Sequence, residues 1–487
     1  MTLAIRTRDG VLEGGHSERG RHWLGIPYAR AERFGLPLPP AAWSGTRSAT
    51  AFGPECPQYF GAMASEKKID GPGVSEDCLV LNIWAPATTD SALKPVMMWI
   101  HGGAFMAGTG NTYDGGDLSA RGDIVVVTIN YRLGVLGFAN LGEALETAQI
   151  PSNLGVRDQI AALEWIRGNI AAFGGDPQRV TIAGESAGSI AVSMLMHCPT
   201  AWPLFQGAIL ESGAISLLHN RERSLRIGHH YREILNLRSH DLDQLRSLDL
   251  KTLLKAQSKV QALERGTVPA APWFDGDLVP SSLSDARAAA TADVPLLAGF
   301  NRDEIRTFEW IKGPDILPMT RGANELLIRQ QLSQSAADQV LGAYPDTKQG
   351  NRALATHLTF GMPTLHFAER HSQRNPTWFY RFDCAHFMIG AAHGLELPFV
   401  WNFKGPLGVL ARGGLLIGKR RALTRRMQQH WAHFVRHGRP EADWPAFTTQ
   451  ERCVRLFNLD DQMARDPDQP QRQAWNGADV STNVAVA

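Results

Sequence analysis

Short apolar runs alternate along this chain with longer stretches of helical periodicity. The runs most typical of buried strands are residues 79–84, 96–100, 123–129, 207–210, 294–298 and 378–382. Strands that alternate with helices in this way predict an α/β fold, in which helices cover both faces of a mostly parallel central sheet.

One crossover unit stands out in the middle of the chain. Apolar residues recur at helical spacing between positions 156 and 170, and Phe173-Gly-Gly175 ends that pattern. A short strand at residues 180–183 follows, then a turn bracketed by glycines, then a helix of small residues from about 187 to 197. This order predicts one βαβ unit.

The later strands are separated by long and less regular segments. Charges alternate with leucines between residues 224 and 260, as in an exposed helical excursion. No Pro/Gly/Ser-rich linker divides the chain. We therefore expect one domain over residues 1–487, with lid insertions at roughly residues 220–290 and 305–375.

Composition excludes several classes of function. The 487 residues carry a formal net charge of +1 with no long basic or acidic block, so nucleic acid and acidic membrane surfaces are poor candidate partners. No signal peptide and no apolar run of membrane-spanning length is visible, which favours a soluble, cytoplasmic protein.

The five cysteines form no C-x-x-C pair, so cysteine-based zinc or redox chemistry is not expected. Cys56 and Cys78 are close enough in sequence to close a short loop, but in a reducing cytoplasm both are expected to be free thiols.

The turn of the crossover unit carries candidate chemistry. Gly184-Glu-Ser-Ala-Gly188 matches G-x-S-x-G between a predicted strand and a predicted helix, which is the setting of a nucleophile elbow. Ser186 is therefore the candidate nucleophile; the alternative is a serine that only caps the helix. The run His101-Gly-Gly-Ala-Phe105 also follows a strand, and the amides of Gly103 and Ala104, with that of Ala187, are candidate oxyanion donors.

A serine nucleophile needs a histidine base and a carboxylate that orients it. In this fold class the chain order is serine, acid, histidine, so both partners are expected after later strands. Asp303 and Glu304 follow one strand, and spacing alone does not choose between them; Asp275 and Asp277 are earlier alternatives. His393 follows the next strand in a loop of small residues, with His386 as its nearest competitor.

These residues resemble the type B carboxylesterase and cholinesterase family, and within it the bacterial carboxylesterases of the para-nitrobenzyl esterase kind. The most specific stretch is Phe173-Gly-Gly-Asp-Pro-Gln-Arg-Val-Thr-Ile-Ala-Gly-Glu-Ser-Ala-Gly188. Supporting segments are Gly25-Ile-Pro-Tyr-Ala29, Glu76-Asp-Cys-Leu79, Asn82-Ile83, Asn130-Tyr-Arg132, Asn153, Asp158-Gln159 and Trp444-Pro445.

The resemblance implies an α/β-hydrolase fold with inserted helical lid segments, and it implies particular site residues. The family's D-E-G motif places its acid at Glu304, and its H-x-x-E-L-P-F-V motif places its base at His393. Phe105 and Phe308 resemble pocket-lining aromatics, although both are as easily explained as core residues.

Four features depart from the family pattern: Ile305 replaces a glycine, Val80 an aromatic and Trp401 a phenylalanine, and the loop at residues 30–34 is shorter. We expect Ile305 and the short loop to be able to reshape the pocket mouth.

The expected function is hydrolysis of carboxylic esters to acid and alcohol through an acyl-enzyme, without cofactor or metal. The alternatives are a non-catalytic cholinesterase-like interaction module, which retention of Ser186, Glu304 and His393 argues against, and an amidase or lipase on the same fold. The sequence does not rank natural esters and leaves the oligomeric state open.

Overall fold

One sheet of 13 strands organises the computed structural model, which describes residues 3–58, 73–87, 92–264, 266–310, 316–413, 417–478 and 480–481. The strands are β1 (Leu3–Arg6), β2 (Val11–Ser17), β3 (Gly20–Pro27), β4 (Thr46–Ser48), β5 (Val80–Ala85), β6 (Lys94–Ile100), β7 (Val125–Ile129), β8 (Gly175–Glu185), β9 (Gly207–Glu211), β10 (Leu296–Asn301), β11 (Thr377–Phe382), β12 (Cys453–Phe457) and β13 (Gln462–Arg465). Their order is β1-β2-β3-β5-β7-β6-β8-β9-β10-β11-β12-β13, and β4 pairs with β2.

Helices fill most of the connections. The α-helices span Gly116–Gly122, Gly134–Gly137, Leu141–Ala144, Leu154–Asn169, Ala187–Met196, Arg221–Ile234, Leu242–Ser247, Leu250–Leu263, Leu283–Ala288, Arg306–Trp310, Arg321–Gln331, Gln334–Gly342, Lys348–Thr356, Met362–His371, Leu397–Val400, Gly405–Ala411, Ile417–His437 and Gln469–Trp475. Short 3₁₀ segments span Gly110–Thr112, Ile170–Phe173, Trp202–Leu204 and Ile215–Leu217, and a π-helical segment spans His357–Gly361.

The predicted α/β architecture is confirmed. All neighbouring strands from β7 across to β12 pair in parallel, and antiparallel pairing is confined to the two edges. The central strands are buried almost throughout, because apolar clusters cover them on two sides. Each predicted strand is present with shifted ends; the largest change is β8, which begins five residues before its predicted start at residue 180.

The edge strands β1 to β4, β12 and β13 were not predicted, because none of them is buried throughout and each lacks the continuous apolar run of a central strand; β4 is exposed at every position. One expectation needs correction. Residues 224–260 are helical as expected but are not an exposed excursion, since Ile227, Tyr231 and Leu253 are buried. Residues 265 and 311–315, which fall inside the two expected insertions, lie outside the described residues.

The sheet register brings the ends of several strands to one edge. Ile100 at the end of β6 pairs with Gly184, and Glu185 at the end of β8 pairs with Glu211. The final residue of β10, Asn301, pairs with the last residue of β11. Since these strands are parallel, the loops after them emerge side by side, which is where α/β folds gather their chemistry.

Two smaller findings concern the earlier expectations. All five cysteines are free, including Cys56 and Cys78. Within the described part of the chain, no helix combines the length and the apolar character that crossing a bilayer requires.

Candidate active site

Ser186 occupies a strained turn between β8 and the helix Ala187–Met196. Its φ of 57° and ψ of −122° are uncommon for a residue with a side chain. The flanking glycine Gly188 is required here, because a Cβ at that position would overlap the carbonyl oxygen of Ile100. The turn therefore places Ser186 at the N-terminal end of the helix, where the N–H groups of the first turn have no partner within the helix and the backbone dipoles favour negative charge.

Glu304 and His393 are joined by a hydrogen bond. The distance from His393 Nδ1 to Glu304 Oε2 is 2.6 Å, and the main-chain N–H of His393 donates to the main-chain oxygen of Glu304 at 3.2 Å. The other carboxylate oxygen, Oε1, accepts from the main-chain N–H of Asn301 at 2.6 Å. Glu304 is fully buried, and both of its oxygens have a donor. This arrangement fixes the imidazole with its Nε2 directed away from Glu304.

Asn301 ties the acid loop to the histidine loop. Its side-chain amide donates to the main-chain oxygen of Ala392 at 2.8 Å and also donates to Glu396. Burial, together with the negative charges of Glu185 and Glu304, raises the pKa of Glu396 well above its ordinary value. Asn301 therefore positions the segment that carries the histidine as well as the carboxylate.

Glu185 faces the opposite nitrogen of the imidazole. Its Oε1 lies 3.2 Å from His393 Nε2. Burial raises the pKa of Glu185 to about 7, with Glu304 raising it and His393 lowering it. Burial lowers the pKa of His393, but the charges of Glu185 and Glu304 outweigh that effect and the net pKa is raised. The site thus favours the imidazolium form that appears when the histidine accepts a proton.

The glycine-rich loop after β6 lies against the serine turn. A Cβ at Gly102 would lie 2.7 Å from the main-chain oxygen of Glu185 and 3.1 Å from Ser186 Cβ, so only glycine permits this approach. Gly103, Ala104 and Phe105 all have positive φ values, of 114°, 55° and 58°. Such φ values are uncommon for residues with a side chain, and Gly103 and Ala104 line the same cavity as Ser186.

His101, at the start of this loop, has a structural role. Its ring stacks on Tyr131 at 4.5 Å, and its Nδ1 lies 2.8 Å from the main-chain oxygen of Gly102. Burial lowers the pKa of His101 to about 4, so it is neutral at physiological pH. It therefore shapes the loop rather than transferring protons.

A mainly apolar cavity of about 260 Å³ opens at these groups. Ser186, Ala187, His393, Gly103 and Ala104 all line it. Its remaining walls are Phe105, Ala107, Glu185, Ile190, Leu217, Val268, Ala271, Thr307, Phe308, Ile316, Leu317, Phe360 and Gly394. Both aromatic residues suggested by the sequence are in this set: Phe105 is buried and Phe308 is half-buried.

The competing candidates after the later strands lie elsewhere. Asp303 accepts from the main-chain N–H of Ala391 at 2.9 Å and does not contact the imidazole. His386 directs Nε2 to the main-chain oxygen of Leu410 at 3.2 Å. The structure therefore separates Glu304 from Asp303, which the sequence spacing could not do.

The earlier acidic candidates are structural. Asp275 accepts from the side-chain amide of Asn153 at 2.8 Å, and Asp277 pairs with Arg157. Ile305 is buried and borders a separate cavity, so the expectation that it shapes the mouth of the catalytic cavity is not supported by its position.

Three residues of this site were missed in the sequence. Glu185 was visible as the variable position of G-x-S-x-G, and Asn301 as the residue three positions before Glu304. Phe360, whose ring stacks on His393, lies 174 positions after Ser186. The only sequence signal near it is Pro363, which interrupts a helical pattern.

Sequence comparisons extend this picture. The sequence model of the Carboxylesterase family matches residues 2–475. The para-nitrobenzyl esterase of Bacillus subtilis (strain 168) is 36% identical over 491 residues, covering 97% of this chain and 98% of that protein. The cocaine esterase of Homo sapiens is 33% identical over 501 residues, covering 94% of this chain and 87% of that protein.

Solved structures agree with the sequence matches. A thermophilic PNB esterase superposes with a TM-score of 0.87 at 34% sequence identity, covering 97% of this chain and 100% of that one. A carboxylesterase of Geobacillus stearothermophilus gives a TM-score of 0.79 at 32% identity, covering 97% and 99%. The likeness therefore extends over the whole fold and is not confined to the serine motif.

Proposed function

Because this chain belongs to the carboxylesterase family, it is a serine hydrolase of carboxylic esters with the α/β-hydrolase fold, and we propose that Ser186, His393 and Glu304 carry its reaction. The observation that supports this assignment most directly is the 2.6 Å hydrogen bond between His393 Nδ1 and Glu304 Oε2 at the wall of a cavity that also contains Ser186.

In the first step, the Oγ of Ser186 attacks the carbonyl carbon of the ester while His393 Nε2 accepts the serine proton. Glu304 holds the imidazole in the tautomer that leaves Nε2 free to accept. The imidazolium that forms lies between two carboxylates, Glu304 at Nδ1 and Glu185 at Nε2, and the raised pKa of His393 reflects their charge.

The tetrahedral intermediate places negative charge on the former carbonyl oxygen. The main-chain N–H groups of Gly103, Ala104 and Ala187 are the proposed donors to that oxygen, because the glycine-rich loop and the helix start converge beside Ser186. One such donor is typically worth about a hundred- to a thousand-fold in rate.

His393 then gives its proton to the leaving alcohol oxygen, and the acyl group remains on Ser186. Water, deprotonated by the same imidazole, attacks the acyl-enzyme and releases the carboxylic acid. Since the cavity walls are mainly apolar, uncharged esters with small or aromatic groups are the proposed substrates, with Phe105 and Phe308 as contact residues.

We also propose that residues 220–290 and 305–375 act as lid segments. Both contribute walls to the catalytic cavity, Val268 and Ala271 from the first and Phe308 and Leu317 from the second. Segments inserted after β9 and β10 are well placed for this, because they start at the edge of the sheet where Ser186 lies.

Replacement of the nucleophile tests the assignment. Ser186→Ala should lower kcat for p-nitrophenyl acetate by about a million-fold and abolish labelling by a fluorophosphonate probe. Ser193→Ala is the matched control, because Ser193 is a buried serine on the helix that follows Ser186, and its hydroxyl donates to the main-chain oxygen of Ile190. Near-normal activity of Ser186→Ala would refute the assignment.

A further inference from the structure

A π-helical segment, His357–Gly361, joins the helices Lys348–Thr356 and Met362–His371. The main-chain N–H of Met362 reaches back to the oxygen of His357, five residues earlier. Pro363 gives a physical reason, because it has no N–H for the oxygen of Thr359 and its ring would collide with that oxygen in a regular α-helix. Single π-turns of this kind are often found at functional sites.

The π-turn carries Phe360 onto the imidazole of His393. The two ring centroids lie 4.4 Å apart with an interplanar angle of 27°, which is a stacked contact. The ring of Phe308 contacts both of these rings: its centroid lies 5.9 Å from that of Phe360 and 5.1 Å from that of His393. Phe360 is 3% exposed, so its ring is fixed by packing.

This stack restrains a motion that Glu304 alone leaves possible. The hydrogen bond at Nδ1 fixes one atom of the imidazole, but rotation about that bond would still displace Nε2, which lies 3.2 Å from Glu185 Oε1. A ring packed flat against the imidazole of His393 opposes such rotation, since the two planes would collide.

The π-turn is also tied to the strand beside the nucleophile. The Thr364 hydroxyl donates to the main-chain oxygen of Phe360 at 2.7 Å and accepts from the main-chain N–H of Gly213 at 3.1 Å. Gly213 follows β9, and a Cβ there would lie 3.2 Å from the main-chain oxygen of Ser186. These contacts therefore fix the position of the turn that carries Phe360 relative to the turn that carries Ser186.

We propose that Phe360 is a positioning residue for His393: its ring holds Nε2 toward Ser186 and its electron-rich face stabilises the imidazolium formed during the reaction. The inference rests on the proposed roles of Ser186 and His393. The interaction of a cation with an aromatic face corresponds to about two- to thirty-fold in an equilibrium, and misplacement of a reacting group can cost about a hundred-fold in rate.

The test replaces the ring and keeps the apolar volume. Phe360→Leu should lower kcat for p-nitrophenyl acetate by about ten- to a hundred-fold with little change in KM. The acid limb of its kcat/KM profile should move to lower pH, because the imidazolium has lost the aromatic face. Phe360→Tyr, which keeps the ring, should restore most of kcat.

Phe367→Leu is the matched control. Phe367 is buried on the helix that follows the π-turn and contacts a histidine outside the catalytic cavity, His197, at 5.7 Å. It should show a comparable loss of thermal stability without the change in kcat or in the pH profile. If Phe360→Leu does not fold, Phe360→Met takes its place, since methionine also fills irregular apolar space.

The outcomes separate this inference from the proposed function. Equal kcat and pH profiles for Phe360→Leu and Phe367→Leu, an effect confined to KM, or an equal loss in Phe360→Tyr would overturn the positioning role. Failure of the proposed function would instead be seen as activity that survives in Ser186→Ala.

Discussion

The sharpest single test of the acid is Glu304→Gln, which changes one carboxylate oxygen to an amide nitrogen. Glu304 faces two N–H donors, from Asn301 and from His393, and each lies 2.6 Å from a different oxygen. A carboxylate accepts both, whereas an amide has one acceptor and one donor group. The main-chain N–H of Asn301 is a donor under all conditions, so the amide oxygen is expected to turn toward it.

The amide nitrogen then faces His393 Nδ1, which must become the acceptor. The imidazole proton consequently moves to Nε2, and that tautomer cannot accept the proton of Ser186. Restoring the reactive tautomer leaves two buried donors without partners, at about 2–6 kcal/mol in total. That range corresponds to a factor of about 30 to 25,000 in rate, and loss of the charge beside the imidazolium favours its upper end, about ten-thousand-fold.

The assay is kcat and kcat/KM for p-nitrophenyl acetate, with thermal unfolding to show that the fold is intact. Asp303→Asn is the matched control, because Asp303 is the adjacent carboxylate and its amide analogue can still accept from Ala391. Its activity should stay within about fivefold of the unmodified enzyme, because the charge of Asp303 pairs with the partly exposed Arg302, at 3.1 Å. A loss below tenfold in Glu304→Gln, or an equal loss in Asp303→Asn, would refute the assignment of the acid.

Two further predictions follow from the charges. The charge of Glu185 helps to raise the pKa of His393, and the histidine must be deprotonated to act as the base. Glu185→Gln should therefore move the acid limb of the kcat/KM profile to lower pH. A limb that stays in place or moves to higher pH, in a profile measured from pH 5 to 9, would contradict this. Asp158 and Arg132 form a buried ion pair at 2.6 Å. Asp158→Asn should therefore lower the free energy of unfolding, measured by urea titration, by about 3–5 kcal/mol. A loss under about 1 kcal/mol would show that the stability of the fold does not depend on the pair.

The sequence predicted the centre of the sheet better than its edges. Strands such as β6 and β7 are buried on both faces, so they appear as continuous apolar runs that need no knowledge of their neighbours. The edge strand β4, Thr46–Ser48, is exposed at all three positions and is strand only because it pairs with β2. Its conformation is set by a partner distant in sequence, which hydrophobic periodicity does not record.

The serine turn was predictable because its requirements are local. Gly188 and the flanking strand and helix all lie within a few residues of Ser186, so the motif and its setting can be read together. The choice of acid is not local. Asp303 and Glu304 are adjacent in sequence. The contacts between the loop after Asn301 and the loop that carries His393 decide which of the two carboxylates reaches the imidazole.

The surroundings of His393 show why residue type alone could not assign these roles. Glu185, Glu211, Glu304 and Glu396 are all buried near one another. Burial raises the pKa of Glu211 to about 8 and that of Glu185 to about 7, and it raises the pKa of Glu396 well above its ordinary value. Full ionisation of all four would place uncompensated negative charge in the interior, which is costly. Glu304 differs from the others because a donor faces each of its oxygens, so it is the carboxylate best suited to hold the imidazolium. The fold thus separates four identical side chains by the partners it gives them, and the carboxylate whose hydrogen bonds are complete is the one that orients the imidazole through Nδ1.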